Sequence, residues 1–164
     1  MLRGGYKMMY GLNYLGSIWN KTGFFDITDP MYDRSVPTYR MTVPCVKGCY
    51  GAYAFIDTDT SGRVAMLSLY KDSIMVTLDQ MKCIGQVGVD SARAGFFINK
   101  PDLTYEMKDI FWDFQEMAGM INRDDITGVL CMSGWGDGIY NVFANENNTA
   151  FSIVFLEEYL PEEE

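Results

Sequence analysis

Large apolar residues alternate with small or polar ones along most of the chain, and this two-residue period is typical of half-buried β-strands. Turn-forming Gly, Asp, Asn and Ser separate the runs that follow this pattern. Residues 58–62 lie between two such runs and predict a β-hairpin. The strands predicted in this way are 23–27, 39–43, 51–57, 63–70, 73–78, 84–89, 94–98, 128–132, 140–144 and 150–156.

One segment departs from this period. Between residues 102 and 121 the apolar positions recur at steps of three and four, which predicts an amphipathic helix. We therefore expect an α+β, mainly β fold: an antiparallel sheet or sandwich-like domain with one long amphipathic helix at about 102–121. The buried stripe of this helix would comprise Leu103, Met107, Ile110, Phe114 and Met117, and its other face would carry Glu106, Asp109, Asp113 and Glu116.

The whole chain, residues 1–164, has the length of one domain. Within it we interpret residues 1–20 as an N-terminal extension or an extra strand, and residues 158–164 as an acidic tail. The residues expected in the core are Phe24, Phe55, Val64, Leu67, Val89, Phe97, Leu130, Val142, Ile153 and Phe155.

Composition and charge exclude several functional classes. A formal net charge of −9 argues against binding of duplex nucleic acid, whose phosphates require a basic surface. The absence of histidine excludes His-dependent catalytic triads and most catalytic zinc sites. Because there is neither a signal-peptide pattern nor a run of about 18 apolar residues, we expect a cytoplasmic protein without membrane contact.

No cofactor and no metal site are predicted. The cysteines form one loose pair and two single residues, whereas a zinc site usually has two tight pairs, so buried thiols are the favoured interpretation. Residues 57–62 begin like a calcium-binding loop, but position twelve of that loop is Ser68 instead of glutamate. A hairpin turn is therefore favoured there.

The most distinctive stretch is Ser-Gly-Trp-Gly-Asp-Gly-Ile-Tyr, at residues 133–140. Its glycines permit close backbone approach, Trp135 has a large flat face and Asp137 has a carboxylate, so the loop could hold a planar ligand or a peptide. The alternative is a structural turn whose Trp covers the core. The candidate binding residues in this stretch are Gly134, Trp135, Gly136, Asp137, Gly138 and Tyr140.

A second candidate lies in the glycine-containing segment 85–95. Asp90 stands at a strand end, where its carboxylate could act in a site or could accept a backbone N–H in an Asx turn. Arg93 could hold an anionic ligand or pair with Asp90.

Several short motifs occur in a fixed order: Asp29-Pro30, Val43-Pro44 with Gly48–Tyr53, Arg63-Val64-Ala65, Val89-Asp90-Ser91, Ser133–Tyr140 and Phe155-Leu156. Their order, over residues 22–157, resembles an uncharacterised domain family of bacterial and phage genomes. One departure is Arg93 with its two alanine neighbours, which precede Gly95 where the family has a glycine directly after Asp-Ser. The resemblance implies a compact β-rich domain and no particular activity.

Two hypotheses about function follow from the sequence. The first is a small non-enzymatic binding protein, of phage or mobile-element origin, that binds a host protein or sequesters a small ligand. The alternative is a metal-assisted hydrolase or lyase that uses Asp90 and Asp137, with Asp29 as a third ligand. Because Met and aromatic residues are abundant and favour contact surfaces, we also expect a homodimer slightly more often than a monomer.

Overall fold

The computed structural model of this chain describes residues 2–3, 6–7, 11–31, 40–98, 114–123 and 126–161. Strands and two short 3₁₀ helices, Leu78–Gln80 and Glu157–Tyr159, make up its regular structure. The strands are β1 (Leu2–Arg3), β2 (Tyr6–Lys7), β3 (Gly11–Asn20), β4 (Phe24–Thr28), β5 (Arg40–Pro44), β6 (Gly48–Ile56), β7 (Val64–Lys71), β8 (Lys82–Val89), β9 (Arg93–Phe97), β10 (Ala118–Arg123), β11 (Ile126–Met132), β12 (Gly138–Ala144) and β13 (Ala150–Val154).

Two antiparallel sheets form a sandwich. The larger sheet has six strands in the order β3-β6-β7-β13-β12-β8, and the smaller has five in the order β10-β11-β9-β4-β5; β1 and β2 form a separate two-stranded sheet. At one side of the sandwich β10 lies beside β3, and at the other side β5 lies beside β8. The two sheets therefore approach each other along both pairs of edges, which shields those edges from pairing with other chains.

The main core lies between the two sheets, because each strand turns alternate apolar side chains inward. At its centre, the rings of Phe25 and Tyr50 meet edge to face with centroids 4.9 Å apart, and Phe25 also packs against Phe151 at 5.9 Å. Aromatic pairs in this geometry contribute about 0.5–1.5 kcal/mol beyond the area that they bury. The two sheets are antiparallel, so the prediction of a mainly β, antiparallel fold is confirmed.

A second buried cluster lies on the outer face of the six-stranded sheet. It includes Met66, Phe143 and Val154 from the strands, and it is covered by Leu78 and Tyr159 of the two 3₁₀ helices. Consequently β7 is buried on both of its faces up to its last residue. The end of the chain is therefore part of the fold as far as the described residues extend.

The predicted helix is wrong where the structure describes it. Residues 114–117 are irregular, and Ala118–Arg123 form β10, paired with β11 from Ala118↔Cys131 to Arg123↔Ile126. The apolar residues at 118, 120 and 121 fit a strand as well as a helix, and β11 offers a row of backbone partners that sequence periodicity does not reveal. Met117 is exposed instead of packed; residues 102–113 lie outside the described part of the chain.

The other predicted strands are confirmed with one exception, residues 73–78. Asp72 and Ser73 both have positive φ, and the N–H of Ile74 donates to the carbonyl of Lys71 at 3.1 Å, so the chain turns after β7 instead of forming a strand. Residues 11–20, interpreted as an extension or extra strand, form the long strand β3. Of the predicted core residues, all are buried except Phe24, which is 52% exposed because its neighbour Phe25 faces the core.

In the described part of the chain, no helix is both long enough and apolar enough to cross a bilayer.

Candidate functional site

Two connections pass from one sheet of the sandwich to the other at the same end. Residues 90–92 join β8 of the six-stranded sheet to β9 of the five-stranded sheet, and residues 133–137 join β11 to β12 in the opposite direction. The N–H of Ser133 donates to the carbonyl of Ala92 at 3.1 Å, so the two connections are hydrogen-bonded to each other. The sandwich topology thus brings together the two sequence segments that contain the candidate residues.

The carboxylates of Asp29 and Asp137 hold the first connection from two sides. Oδ2 of Asp29 accepts hydrogen bonds from the backbone N–H groups of Asp90 (2.9 Å) and Ser91 (2.8 Å), and Oδ1 of Asp137 accepts one from the N–H of Ala92 (3.0 Å). Three consecutive backbone donors therefore bind carboxylates. Asp29 is completely buried, and it uses Oδ1 for the hydroxyl of Ser91 and the N–H of Met31.

The position of Arg93 makes it a structural residue. Its side chain is 9% exposed, Nη1 donates to the carbonyl of Ser91 at 3.0 Å, and Nη2 donates to the carbonyl of Phe114 at 3.3 Å. The guanidinium thereby ties the β8–β9 connection to the segment that precedes β10. The side chain of Asp90 is exposed at the same turn; neither Asp90 nor Arg93 lines the cleft described below.

The second connection is a tight, internally bonded turn. The N–H of Gly136 donates to the carbonyl of Ser133 (2.9 Å), and the Ser133 hydroxyl donates to the carbonyl of Gly136 (2.8 Å). Gly134 has φ of +59°, and a Cβ at this position would lie 2.9 Å from Cβ of Phe155. A side chain at residue 134 would therefore meet both backbone strain and a clash, so the glycine is required by the fold.

The side chain of Tyr140 supports this turn through its hydroxyl and its ring. Its hydroxyl donates to the carbonyls of Ser133 (3.0 Å) and Gly136 (2.5 Å), and its ring packs edge to face on Phe155 with centroids 5.1 Å apart. Burial raises the pKa of the Tyr140 hydroxyl; a hydrogen bond with the side chain of Ser133 lowers it, and the negative charge of Asp137 raises it, so that the net shift is upward. The hydroxyl therefore remains a protonated donor, and it is fully used within the turn.

Trp135 projects from the turn into solvent, 66% exposed. The guanidinium of Arg63 lies 4.0 Å from the centroid of its ring, and Nη1 of Arg63 donates to the carbonyl of Gly134 at 3.0 Å. This cation–π contact holds the indole in place without burying it. The alternative in which Trp135 covers the core is therefore not what the structure shows.

Beside Trp135 a cleft of about 440 Å³ runs along the outer face of the six-stranded sheet. One end is formed by the 133–137 connection and the start of β12, and one wall is the 3₁₀ helix Glu157–Tyr159 with the residue that follows it. The residues that line the cleft are Gln86, Trp135, Asp137, Gly138, Ile139, Tyr140, Asn141, Val154, Phe155, Glu157, Glu158 and Leu160. Four of the candidate residues, Trp135, Asp137, Gly138 and Tyr140, are thus brought together, while Gly134 and Gly136 build the turn behind them.

The cleft is acidic, and it also contains exposed apolar side chains. Asp137, Glu157 and Glu158 supply three carboxylates, and its described lining contains neither Lys nor Arg. Ile139 is 68% exposed at its floor. Sequence reasoning did not find Ile139, Glu157 or Glu158, because Ile139 lay within a glycine-rich motif, Glu157 followed the last predicted strand and Glu158 began the predicted tail. The apolar pair Tyr159-Leu160 inside that acidic end was the signal that the chain packs there.

Asp57 holds the wall of the cleft in place. The hydroxyl of Tyr159, a buried residue, donates to Oδ1 of Asp57 at 3.4 Å. Oδ2 of Asp57 accepts hydrogen bonds from the hydroxyl of Thr60 and from the N–H (3.2 Å) and hydroxyl (2.9 Å) of Ser61. The hairpin-turn interpretation of residues 57–62 is therefore confirmed, with this carboxylate as the centre of the turn.

The charge of Asp57 is stabilised by these donors. Burial alone would raise the pKa of its carboxyl, but the hydrogen bonds from Thr60 and Ser61 outweigh burial and lower the pKa. The pKa of Tyr159 is raised, first by burial and then by the negative charge of Asp57. At neutral pH the pair is therefore a carboxylate that accepts from a protonated phenol.

No group of three or more His, Cys, Asp or Glu side chains is placed to hold a metal ion within the described residues. Asp29, the proposed third ligand, instead accepts backbone and hydroxyl hydrogen bonds at the β8–β9 turn. All four cysteines are free thiols. Only Cys131 is buried, and its burial raises the pKa of the thiol well above its usual value; the expectation that all four are buried is therefore wrong.

Compared with known proteins, the chain matches no family model, and no curated protein or solved structure is significantly similar to it. The resemblance to the uncharacterised domain family stays a prediction.

Proposed function

We propose that this protein is a non-enzymatic binding protein that holds a cationic segment of a protein partner in the cleft beside Trp135. The observation that supports this function is the combination, in one cleft, of three carboxylates with the exposed side chains of Trp135 and Ile139. Apolar contacts with a few fixed polar groups are the usual composition of a binding site.

The charge of the cleft selects a positive ligand. Its three carboxylates lie on a protein of net charge −9, so the long-range field and the local field have the same sign and attract cations. Lys and Arg side chains suit such a surface, because their aliphatic stems can cover Ile139 while their charged ends reach Glu158. Arg63 already lies over the Trp135 ring, which is the kind of contact that a guanidinium of the partner would make.

The shape of the cleft favours an extended peptide. Its floor is a sheet face, where Gln86 on β8 and Asn141 on β12 are hydrogen-bonded at 3.0 Å, so a bound chain would lie across neighbouring strands. Side-chain amides of this kind can bond the backbone of an extended ligand. The metal-assisted alternative gains no support from the arrangement of its carboxylates, because Asp29 and Asp137 hold the backbone of residues 90–92.

Binding is tested with a short fluorescent peptide that contains three lysines or arginines around one large apolar residue. Anisotropy should rise on addition of the protein and fall with increasing salt. Glu158→Gln and Ile139→Ser should each weaken binding, by about tenfold for a lost contact worth about 1.4 kcal/mol. Glu146→Gln is the matched control, since Glu146 is exposed in the turn at the other end of β12.

The result that would exclude this function is equally clear. If Glu158→Gln and Glu146→Gln reduce the affinity for the peptide equally, binding reflects only the net charge of the protein, and the cleft is not the binding site.

We also propose a cytoplasmic location, which the four free cysteines support because a reducing compartment keeps thiols unpaired.

A further inference from the structure

A second hollow lies at the opposite end of the six-stranded sheet from the cleft. It has a volume of about 340 Å³ and is lined by Trp19, Asn20, Lys21, Lys47 and Gly48; we name it the lysine pocket. The N–H of Val46 donates to the carbonyl of Asn148, in the turn that follows the far end of β12. The lysine pocket and the acidic cleft are therefore separate surfaces.

The lysine pocket collects positive charge from three parts of the chain. Lys21 follows β3, Lys47 precedes β6, and Lys71 is the last residue of β7. The Cε atom of Lys71 lies 2.8 Å from the ideal Cβ position at Gly48, so this third ammonium group borders the pocket as well. Its Nζ is also 2.8 Å from Oδ2 of Asp72, which leaves Lys21 and Lys47 as the exposed cations.

This clustering runs against the overall charge of the protein. Within the described side chains there are four lysines, and only Lys82 lies elsewhere, on the opposite edge strand β8 of the same sheet. Neighbouring ammonium groups repel each other. Because the net charge of the protein is −9, an excess of basic residues does not explain why these lysines lie together. A bound anion would remove that repulsion.

The turn that presents Lys21 is rigidly built. The side chain of the buried Asn20 donates from Nδ2 to the carbonyl of Phe24 at 2.8 Å, and its Oδ1 accepts from the N–H groups of Thr22 (2.9 Å) and Gly23 (3.0 Å). The Cε of Lys47 lies 3.6 Å from the ideal Cβ position at Gly23, so Lys47 extends across this turn. The two exposed cations are thus held on one side of the pocket by a pre-formed loop.

Trp19 supplies the other half of the pocket. Its indole is 59% exposed on the outer face of β3, beside the cations. A flat aromatic surface next to ammonium groups recognises a flat ring that carries an anionic group, through stacking and charge together. A volume near 340 Å³ fits a small molecule, and the net negative charge disfavours a polyanion.

We propose that the lysine pocket binds a mononucleotide-sized ligand, whose phosphate contacts Lys21 and Lys47 and whose base stacks on Trp19. This inference does not depend on the peptide-binding cleft. Isothermal titration of the full chain with AMP should give one site, and affinity should fall as salt is raised. Adenosine and inorganic phosphate, each with half of the required chemistry, should bind at least about tenfold more weakly than AMP.

Variants locate the site. The double substitution Lys21→Gln/Lys47→Gln should reduce the affinity for AMP by about tenfold, since two surface charge contacts are each worth up to about 1 kcal/mol. Trp19→Ala should reduce the affinity for AMP and leave the affinity for phosphate unchanged. Lys82→Gln, which makes the same change of charge on β8, should bind AMP as the parent does. Thermal melting confirms that each variant is folded.

Three results would overturn the proposal. One is no heat of binding with AMP in the low-millimolar range. Another is equal binding of AMP by the double variant and by Lys82→Gln. The third is equal affinity for AMP and phosphate, which would mean an anion contact without a stacking platform.

Discussion

Oδ1 of Asp137 accepts a hydrogen bond of 3.0 Å from the backbone N–H of Ala92, and this bond joins the two connections that cross between the sheets at one end of the sandwich. Ala92 has a φ of +58°, which a non-glycine residue rarely adopts. The carboxylates on either side of this turn, Asp29 inside and Asp137 outside, explain how the conformation is held. Of the two carboxylates, Asp29 is buried in the end of the sandwich, whereas Asp137 also lines the cleft.

Substitution of Asp29 should destabilise the fold strongly. Asp29→Ala would leave the N–H groups of Met31, Asp90 and Ser91 without an acceptor in a buried site. We expect a loss of about 3–5 kcal/mol in the free energy of unfolding, measured by urea denaturation. The control is Asp59→Asn, an exposed aspartate in a hairpin turn, which should change this free energy by less than about 0.5 kcal/mol. Equal effects of the two substitutions would refute the buried clamp.

Trp135→Ala should separate binding from folding, whereas Asp137→Ala should affect both. Trp135→Ala removes a ring that is 66% exposed, so the melting temperature should hardly change while the affinity for the cationic peptide falls by about tenfold or more. Asp137→Ala also removes the bond to Ala92 and should cost about 1–2 kcal/mol of stability. A large fall in melting temperature for Trp135→Ala would mean that the indole is a structural cap instead of a contact residue.

Gly134→Ala should reveal a clash in addition to backbone strain. Both Gly134 and Gly62 have positive φ, at +59° and +69°, but a Cβ at Gly134 would lie 2.9 Å from Cβ of Phe155, whereas a Cβ at Gly62 has nothing within 4 Å. Gly62→Ala should therefore cost about 1 kcal/mol from strain alone, and Gly134→Ala clearly more. If denaturation gave the two variants the same stability, the turn would not pack closely on Phe155.

Acid should weaken the wall of the cleft through Asp57. Its folded-state pKa lies below its unfolded value, because the hydrogen bonds from Thr60 and Ser61 outweigh the opposing effect of burial. Its contribution to stability is therefore fully present above the unfolded pKa of about 3.9, and it is lost as pH falls through the folded pKa. Asp57→Asn should be less stable at neutral pH and should lose less stability than the parent on acidification below about pH 4.

Denaturation at a series of pH values measures this difference directly. The comparison requires a variant that keeps the same turn, and Asp59→Asn provides it, since residue 59 is exposed in that turn. Asp59→Asn should follow the parent profile. Parallel profiles for Asp57→Asn and the parent would show that Asp57 does not contribute to the acid response.

Alternation of apolar residues was sufficient to predict most strands of both sheets and the hairpin around residues 58–62. For the hairpin it was sufficient because β6 and β7 are consecutive in sequence and pair with each other. A local turn and a local pattern therefore determine how these two strands pair. The same reasoning succeeded for core residues such as Leu67 and Ile153, whose inward direction follows from the period of two. Sequence alone also indicated that residues 133–140 are unusual, although not what they do.

Tertiary structure decided what local patterns left open. Ala118–Arg123 became a strand because the edge of β11 offered hydrogen-bond partners, an interaction that periodicity does not report. Asp29 and Asp137 meet at one turn, and Ile139 and Glu158 share one cleft, because the chain crosses between the sheets at that end. Such sites consist of contacts between distant segments, and their geometry depends on how two sheets pack, which no single segment of the sequence specifies.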